Sequence, residues 1–278
     1  MQPTEAMSSR ARPEITVRKI TFPFGADIPR HWFGNNPMQT HVFNGLNLVF
    51  PDGERFFVRA VQDHFEKIRD PQLRQQVRAF FGQEGRHAHE HERYFATMRA
   101  QGYEIDTFLR RFHKFVQITS RFLPSAFRLS ITAGAEHYTA TLGAFALANP
   151  HMEEAHPTMR NLIRWHAVEE IEHKAVAFDV LRETHPSYLL RITGFLFATA
   201  VLVGWTVAAT RMLLRQDGVS AAERKALLRA LDKRDHGAMR KAINKGLREY
   251  FRRDFHPDQS DDRALLERSI DELGYLPA

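Results

Sequence analysis

One pattern occurs twice in this chain and constrains its fold more than any other feature. In each copy a glutamate is followed three positions later by a histidine, and a lone glutamate stands about one helix upstream. In chain order the residues of the two copies are Glu54, Glu84, His87, Glu136, Glu170 and His173. On a helix, a carboxylate and an imidazole three positions apart point the same way. Four helices that turn such groups inward form a cradle of four glutamates and two histidines, so the pattern predicts an all-α helical bundle.

This donor set predicts two metal ions. Carboxylates bridge two ions that lie close together, and one imidazole per ion completes the set. Oxygen-rich coordination with few nitrogens suits two iron ions, with manganese as the alternative. The alternative interpretation is that these groups are surface charges on charged helices. Apolar neighbours such as Phe80, Val168 and Ile171 favour the metal site, because a buried carboxylate is costly unless it is paired or metal-bound.

A further histidine extends the predicted donor set. His166 precedes Glu170 by four positions, which places it one turn away on the same helix face. We expect His166 to be a seventh metal ligand, the alternative being a histidine that supports the ligands. His91 follows His87 by four positions and could join the site by the same geometry, but there we expect a supporting or a solvated side chain. Five polar residues fall off the metal face by helical phase and are expected to be structural or exposed: His89, Glu92, His137, Glu169 and Glu172.

Prolines, glycines and capping residues divide the chain into segments. Residues 1–35 predict an irregular extension with a short strand at 15–22. The next segment predicts a helix over 40–68, interrupted or kinked at residues 51–53 next to Glu54. Further helices are predicted over residues 71–102, 106–122, 125–148 and 157–183.

The chain therefore divides into three predicted parts. The extension covers residues 1–35, the dimetal bundle 36–186, and an apolar helix with a basic helical tail 187–278. Residues 192–210 carry no charge, and about 20 apolar residues are needed to cross a bilayer. A crossing would place the Lys- and Arg-rich tail outside, against the usual charge bias. We expect residues 192–210 either to lie on the cytoplasmic face of the inner membrane as a peripheral or monotopic helix, or to be buried in the fold or a homodimer.

Composition limits the classes of site. The chain has no cysteine, which excludes disulfides, thiolate zinc sites, iron–sulfur clusters and cysteine nucleophiles. Residues 1–13 are polar and lack the apolar core of a signal peptide, so we expect a cytoplasmic protein. The net charge of +6 indicates attraction to anionic surfaces such as lipid headgroups. We do not expect nucleic-acid binding, because the basic tail has few aromatic residues for base stacking and no zinc-finger or helix-turn-helix signature.

The order of the ligand residues resembles that of the ferritin-like di-iron carboxylate superfamily. The segments HWF at 31–33, FPDGERFF at 50–57 and GQEGRH at 82–87 further resemble a bacterial family of predicted metal-dependent hydrolases, over residues 17–255. The step HxxxExxH at 166–173 is similar to that of di-iron N-oxygenases, which carry a third histidine ligand on that helix. The first resemblance implies a ferritin-like bundle with two iron ions. The proline–aspartate–glycine step departs from the straight helices of that superfamily.

We expect from this site a di-iron oxidoreductase that activates O₂ to oxidise a hydrophobic substrate, a lipid or an acyl chain, with an electron donor that is unknown. Beyond the metal ligands we predict no catalytic and no cofactor-binding residue. One alternative is hydrolysis of an ester or phosphoester by two metal ions that activate a water molecule. A second alternative is a non-enzymatic metal-binding or storage protein.

Overall fold

A computed structural model describes residues 15–274 of the chain. Within this range the fold is an all-α bundle without β-strands, and it includes the apolar C-terminal helix, as predicted. The polar stretch over residues 1–13 lies outside the described residues. The helices are α1 (Pro37–Gln62), α2 (Pro71–Ala100), α3 (Asp106–Phe122), α4 (Ser125–Ala148), α5 (Pro157–His173), α6 (Val176–Thr184), α7 (Tyr188–Gln216), α8 (Ala221–Arg234), α9 (Ala238–Tyr250) and α10 (Arg263–Leu273).

Several helix ends follow local signals. The Asp70 side chain accepts the Gln72 backbone N–H at 2.9 Å, and Pro71 occupies the first turn of α2. Ser220 and Glu223 form a reciprocal capping box at the start of α8. The predicted bounds of α2, α3 and α4 agree closely with the structure. For α2 the reason is local, because its capping interaction joins residues within one turn.

The helix α1 passes through Pro51 without interruption, so the predicted interruption before Glu54 is wrong. A proline in a helix interior removes one backbone hydrogen bond and costs about 3 kcal/mol. Here α1 packs against α2, α4 and α7, and it buries residues on both sides of the proline, including Leu48 and Phe56. This tertiary packing outweighs the local penalty. The helix then ends at Gln62, earlier than predicted.

The helix predicted over residues 157–183 is two helices. α5 ends at His173, and α6 begins at Val176. At the junction, the Lys174 ammonium donates to the Asp262 carboxylate at 2.8 Å and to the Ser260 carbonyl at 3.3 Å. These partners are distant in sequence, so no local signal predicts the break. His173 therefore lies in the last turn of α5.

The strand predicted at residues 15–22 does not form. The Arg18 backbone N–H donates to the Glu169 carboxylate at 3.1 Å, and the Phe22 N–H donates to Glu90 at 3.2 Å. Side-chain acceptors on α5 and α2 thus satisfy backbone groups that would otherwise pair in a sheet. The segment consequently lies along the helices that carry the predicted ligands.

Glycines bring α7 close to α4. A Cβ atom at Gly194 would lie 2.5 Å from the Ser130 backbone, and one at Gly134 would lie 2.7 Å from the Phe195 Cα atom. Real Cβ atoms do not approach other atoms so closely, so both positions require glycine. This crossing supports the middle of α4, where Glu136 is located.

The opposite face of α7 is apolar and exposed. α7 is long and apolar enough to cross a membrane, but only 22% of its most apolar stretch is buried in the fold. Leu189, Leu196, Val203 and Val207 are all exposed. Length and composition are weak evidence for a membrane helix, since core helices share them. The predicted division of the chain at residue 186 stays a prediction.

Candidate metal centre

Seven buried side chains converge in the middle of the bundle. α1 and α4 each contribute one glutamate, α2 a glutamate and a histidine, and α5 a glutamate and two histidines. No member of the group is more than 6% exposed. In chain order they are Glu54, Glu84, His87, Glu136, His166, Glu170 and His173, and a nitrogen of His91 also lies within 4.8 Å of ligand atoms of Glu54 and His166. The structure therefore brings together all seven residues that the sequence predicts as metal ligands.

One half of the cluster surrounds the His173 imidazole. Its Nε2 atom lies 3.2 Å from Glu84 Oε1, 3.1 Å from Glu136 Oε2 and 3.5 Å from Glu170 Oε2. Ligand atoms of Glu84, Glu136 and His173 all lie within 4.8 Å of one another. Two carboxylates and an imidazole at this separation could hold one metal ion.

The other half of the cluster contains His87, His166 and Glu54. His87 Nδ1 lies 3.5 Å from both Glu84 Oε1 and Glu170 Oε1. His166 Nε2 lies 2.8 Å from Glu170 Oε1 and 3.8 Å from Glu54 Oε1. Glu84 and Glu170 contact histidines of both halves. These two carboxylates are therefore shared by the two halves.

Many polar atoms of this cluster lack hydrogen-bond partners. In the described part of the chain these buried atoms include both carboxylate oxygens of Glu54, Glu84 and Glu136, Oε2 of Glu170, Nδ1 of His87 and Nε2 of His173. Buried polar atoms are almost always hydrogen-bonded, because an unpaired one loses its hydration without compensation. Cations among these atoms would satisfy all of them together. The residues present therefore fit a carboxylate-rich metal site.

Burial and the close approach of several carboxylates also shift the pKa values of the cluster. Burial, followed by repulsion from neighbouring carboxylates, raises the pKa of Glu84 and of Glu136 to about 8. Burial and repulsion from Glu84 also raise the pKa of Glu54 well above its ordinary value. Burial opposes the ionisation of Glu170 and His173, but their mutual attraction lowers the pKa of Glu170 and raises that of His173. Several buried carboxylates thus compete for too little positive charge.

A line of hydrogen bonds orients His166. Its Nδ1 atom lies 2.6 Å from His91 Nε2, and His91 Nδ1 lies 2.5 Å from the Asn47 side-chain oxygen. These contacts leave His166 Nε2 facing Glu170. His91 is buried, so the expected solvated role is wrong, and it is close enough to Glu54 and His166 either to support His166 or to join the donors. Partners of this kind fix the ring orientation of metal-binding histidines.

Two residues that the sequence analysis did not assign to the site orient the other histidines. The Gln83 side-chain oxygen lies 2.8 Å from His173 Nδ1, and Glu169 Oε2 lies 3.0 Å from His87 Nε2. Each of the two directly precedes the glutamate of one Glu-x-x-His step and contacts the histidine of the other step. The shared position before the glutamate is the sequence signal that could have identified them.

The five polar residues predicted to lie off the metal face do so. His89 and Glu92 are exposed, whereas His137, Glu169 and Glu172 are buried. The buried ones have partners of their own, such as the Gly246 carbonyl for His137. None of the five belongs to the central cluster among the described residues.

Residues 16–261 match the model of a family described as predicted metal-dependent hydrolase. No curated protein and no solved structure matches the chain. The family description corrects the expected enzyme class: it points to hydrolysis and away from a di-iron oxidoreductase or oxygenase. The seven-residue cluster alone could not make this distinction, because the same carboxylate and imidazole donors serve both chemistries. Since the match covers most of its length, the chain belongs to the family of predicted metal-dependent hydrolases.

Proposed function

We propose that this protein hydrolyses an ester or a phosphoester at a site that holds two divalent metal ions. The observation that carries the proposal is the convergence of seven buried donors, six of which carry a polar atom without a hydrogen-bond partner. The family description supports hydrolysis as the reaction. The oxygen-rich donor set suits iron or manganese.

The two halves of the cluster divide the donors between the ions. Glu136 and His173 would hold one ion, and Glu54, His87 and His166 would hold the other. The glutamates that contact both halves, Glu84 and Glu170, would hold the two ions together. This division uses each histidine once and leaves no carboxylate of the cluster unpaired.

Bound metal ions would supply a Lewis acid and a water of lowered pKa near neutral pH. The protein's own part is to orient the donors and keep the site dry. Gln83 and Glu169 hold the imidazoles of His173 and His87 so that their free nitrogens face the carboxylates. The Phe50 ring, whose centroid is 4.7 Å from that of His166, covers the cluster on the α1 side. In the reaction, water adds to the ester carbonyl carbon, the bond to the alcohol oxygen breaks, and the alcohol leaves with a proton.

The direct test is an anaerobic activity assay. Metal-free protein would be reconstituted with Mn²⁺, Zn²⁺ or Fe²⁺ and offered nitrophenyl esters and phosphoesters. We expect turnover without oxygen, its loss on chelation and its return when the ion is restored. The absence of turnover with every ion and both ester classes would contradict the proposal, and so would turnover that requires oxygen.

Replacement of one shared carboxylate tests the site itself. Glu84→Gln keeps the size of the side chain but removes the charge that both halves need, so we expect at least about a hundredfold loss of metal affinity and the loss of turnover. The matched control is Glu92→Gln on the same helix, where the carboxylate pairs with Arg55 in solvent. Elemental analysis after dialysis would compare the two variants. Equal metal content in both would exclude Glu84 as a ligand.

We further propose that α7 rests on the cytoplasmic face of the inner membrane. Leu189, Leu196 and Val203 recur every seven residues, which places them on one helix face, and each is at least 49% exposed. Beside the start of this face the Arg253 guanidinium lies 4.6 Å from the Tyr188 ring. An exposed apolar stripe with a neighbouring cation is the pattern of helices that bind anionic lipid surfaces.

Vesicle sedimentation tests this location. We expect the protein to pellet with vesicles rich in phosphatidylserine and less with phosphatidylcholine alone. Leu196→Glu should abolish binding, whereas Leu228→Glu, at an exposed apolar position on α8, should not. The membrane proposal would be overturned if the protein did not bind to vesicles. It would also be overturned if the protein formed a dimer that Leu196→Glu dissociates.

A further inference from the structure

An apolar cavity of about 80 Å³ lies among α1, α3, α4 and α7. Aromatic and aliphatic side chains form nearly all of its wall, and its only polar side chains are two threonines. Its wall includes Phe50, Gly53, Ala135, Thr139, Ala198 and Trp205. Apolar cavities of this kind stay dry and take up apolar groups.

The cavity adjoins the metal centre. Gly53 and Ala135 in its wall directly precede two of the central glutamates in sequence. A second cavity, of about 60 Å³, is lined by His166 and Glu170 of the cluster and shares Phe50 and Thr139 with the first. The apolar cavity and the cavity beside the metal donors therefore have two wall residues in common, Phe50 and Thr139.

The charges around the two cavities favour a neutral substrate. Neither wall includes a lysine or an arginine, although the chain has 39 of them. Apart from the proposed metal ions themselves, the walls therefore offer no positive charge to balance a phosphoester. A carboxylic ester carries no charge, so it loses little hydration free energy when it enters the cavity.

We propose that the substrate is an uncharged carboxylic ester whose acyl chain occupies the apolar cavity, with its carbonyl in the smaller cavity beside Glu170 and His166. This inference rests on the proposed hydrolysis and adds its substrate class. Burial of each methylene contributes about a fourfold gain in affinity until the cavity is full. The site should therefore select among esters by the length of the acyl chain.

Gly53 offers a way to shorten the cavity without a clash. A Cβ atom at Gly53 would meet no atom within 4 Å, and the residue lines the cavity. Gly53→Leu should therefore fill part of the chamber while the helix forms normally. The matched control is Gly204→Leu, because Gly204 also lies inside a helix, has open space around it and does not line the cavity. Both variants gain helix propensity to the same degree.

Binding of straight-chain alkanols to the metal-loaded full chain tests the cavity independently of turnover. By calorimetry we expect the affinity to rise about fourfold per methylene from butanol upward and then to level off. In Gly53→Leu the affinity should stop rising at a shorter alkanol, and Gly204→Leu should behave as the unaltered protein. Affinity that does not depend on chain length, or that is equal in all three proteins, would overturn the inference.

Hydrolysis of nitrophenyl esters from acetate to octanoate provides the second measurement. We expect kcat/KM to increase with chain length, and Gly53→Leu to lower the ratio of hexanoate to acetate by about tenfold or more. If the esters were hydrolysed but kcat/KM did not depend on acyl chain length, the inference would be overturned and the hydrolase proposal would stand. Alkanol binding without any ester turnover would instead contradict the hydrolase proposal.

Discussion

Gln83 and Glu169 connect the two Glu-x-x-His steps at the level of single residues. Each residue directly precedes the glutamate of one step and contacts the histidine of the other step. Glu169 also accepts the indole N–H of Trp165 at 3.1 Å, which holds its carboxylate in place. The two histidines are thus oriented by residues from the facing helix, so a shift of α2 against α5 would disturb both halves together.

This crossed arrangement gives a prediction for Glu169→Gln. The substitution keeps an acceptor beside His87 but removes the charge, and loss of such a partner usually lowers metal affinity by about 10- to 100-fold. We expect weaker metal binding with an unchanged helical circular-dichroism spectrum. Competition with a coloured chelator would measure the affinity. An affinity equal to that of the unaltered protein would mean that Glu169 serves only the fold.

The crowded carboxylates predict how the metal-free protein responds to pH. The pKa values of Glu84 and Glu136 rise from 4.5 to about 8, so between these values the folded chain binds more protons than the unfolded one. Several buried histidines, among them His91 and His166, have lowered pKa values, which favour the folded state as the pH rises towards 7. Above about pH 7 the histidines of both states are neutral, so the stability should fall from pH 7 to 8. The raised pKa of His173 acts in the same direction as those of Glu84 and Glu136, and the lowered pKa of Glu170 adds no slope in this range.

Thermal unfolding with and without metal would measure this effect. The chelated protein should have a Tm several degrees lower at pH 8 than at pH 7, at about 2–4 °C per kcal/mol for a chain of this size. The metal-loaded protein should not show this fall, because the ions compensate the carboxylates. A chelated protein that is more stable at pH 8 than at pH 7 would contradict the electrostatic description of the cluster.

At the scale of the elements, the crossing of α4 and α7 depends on two glycines. We expect Gly194→Ala to destabilise the fold by about 1–3 kcal/mol, because the added methyl group would collide with the Ser130 backbone. Gly204→Ala in the same helix should stabilise by up to about 1 kcal/mol, since its methyl group meets open space. Urea unfolding would compare the two. Equal effects would show that the helices can separate without cost.

At the scale of the whole molecule, the Asp217 carboxylate at the end of α7 forms hydrogen bonds with residues that are distant in sequence. Its carboxylate lies 2.8 Å from Arg30 Nε, 2.7 Å from His31 Nε2, 2.5 Å from His41 Nε2 and 3.0 Å from the Tyr103 hydroxyl. Unlike the central glutamates, this carboxylate has hydrogen-bond partners at both oxygens. The group therefore fits a structural ion pair better than a metal site.

This ion-pair group predicts the response to Asp217→Asn. Burial opposes the ionisation of Asp217, but its histidine and arginine partners hold its pKa well below the ordinary 3.8. The carboxylate therefore contributes stability above about pH 4 that is lost as the pH falls below that value. We expect the variant to lose about 1.5–3 kcal/mol at pH 7 and less at low pH. A constant difference across the pH range would exclude the charge as the cause.

The sequence by itself determined the all-α fold, the bounds of α2 to α4 and the seven residues that converge in the middle of the bundle. Caps such as Asp70 with Pro71, and the three-residue step from Glu84 to His87, act within one or two helical turns. Their outcome depends little on the rest of the chain, so the bounds of α2 to α4 and the inward face of the donors could be read directly.

Only the tertiary structure decided what surrounds those donors. The uninterrupted helix through Pro51, the crossed partners Gln83 and Glu169, and the apolar cavity at Gly53 all join residues from different helices. Such contacts depend on how the helices pack, and packing energy overrides local preference where many side chains are buried together. Neither the residue spacing nor the donor set distinguished hydrolysis from oxidation, because the chemistry of a carboxylate-rich metal pair depends on what its surroundings admit.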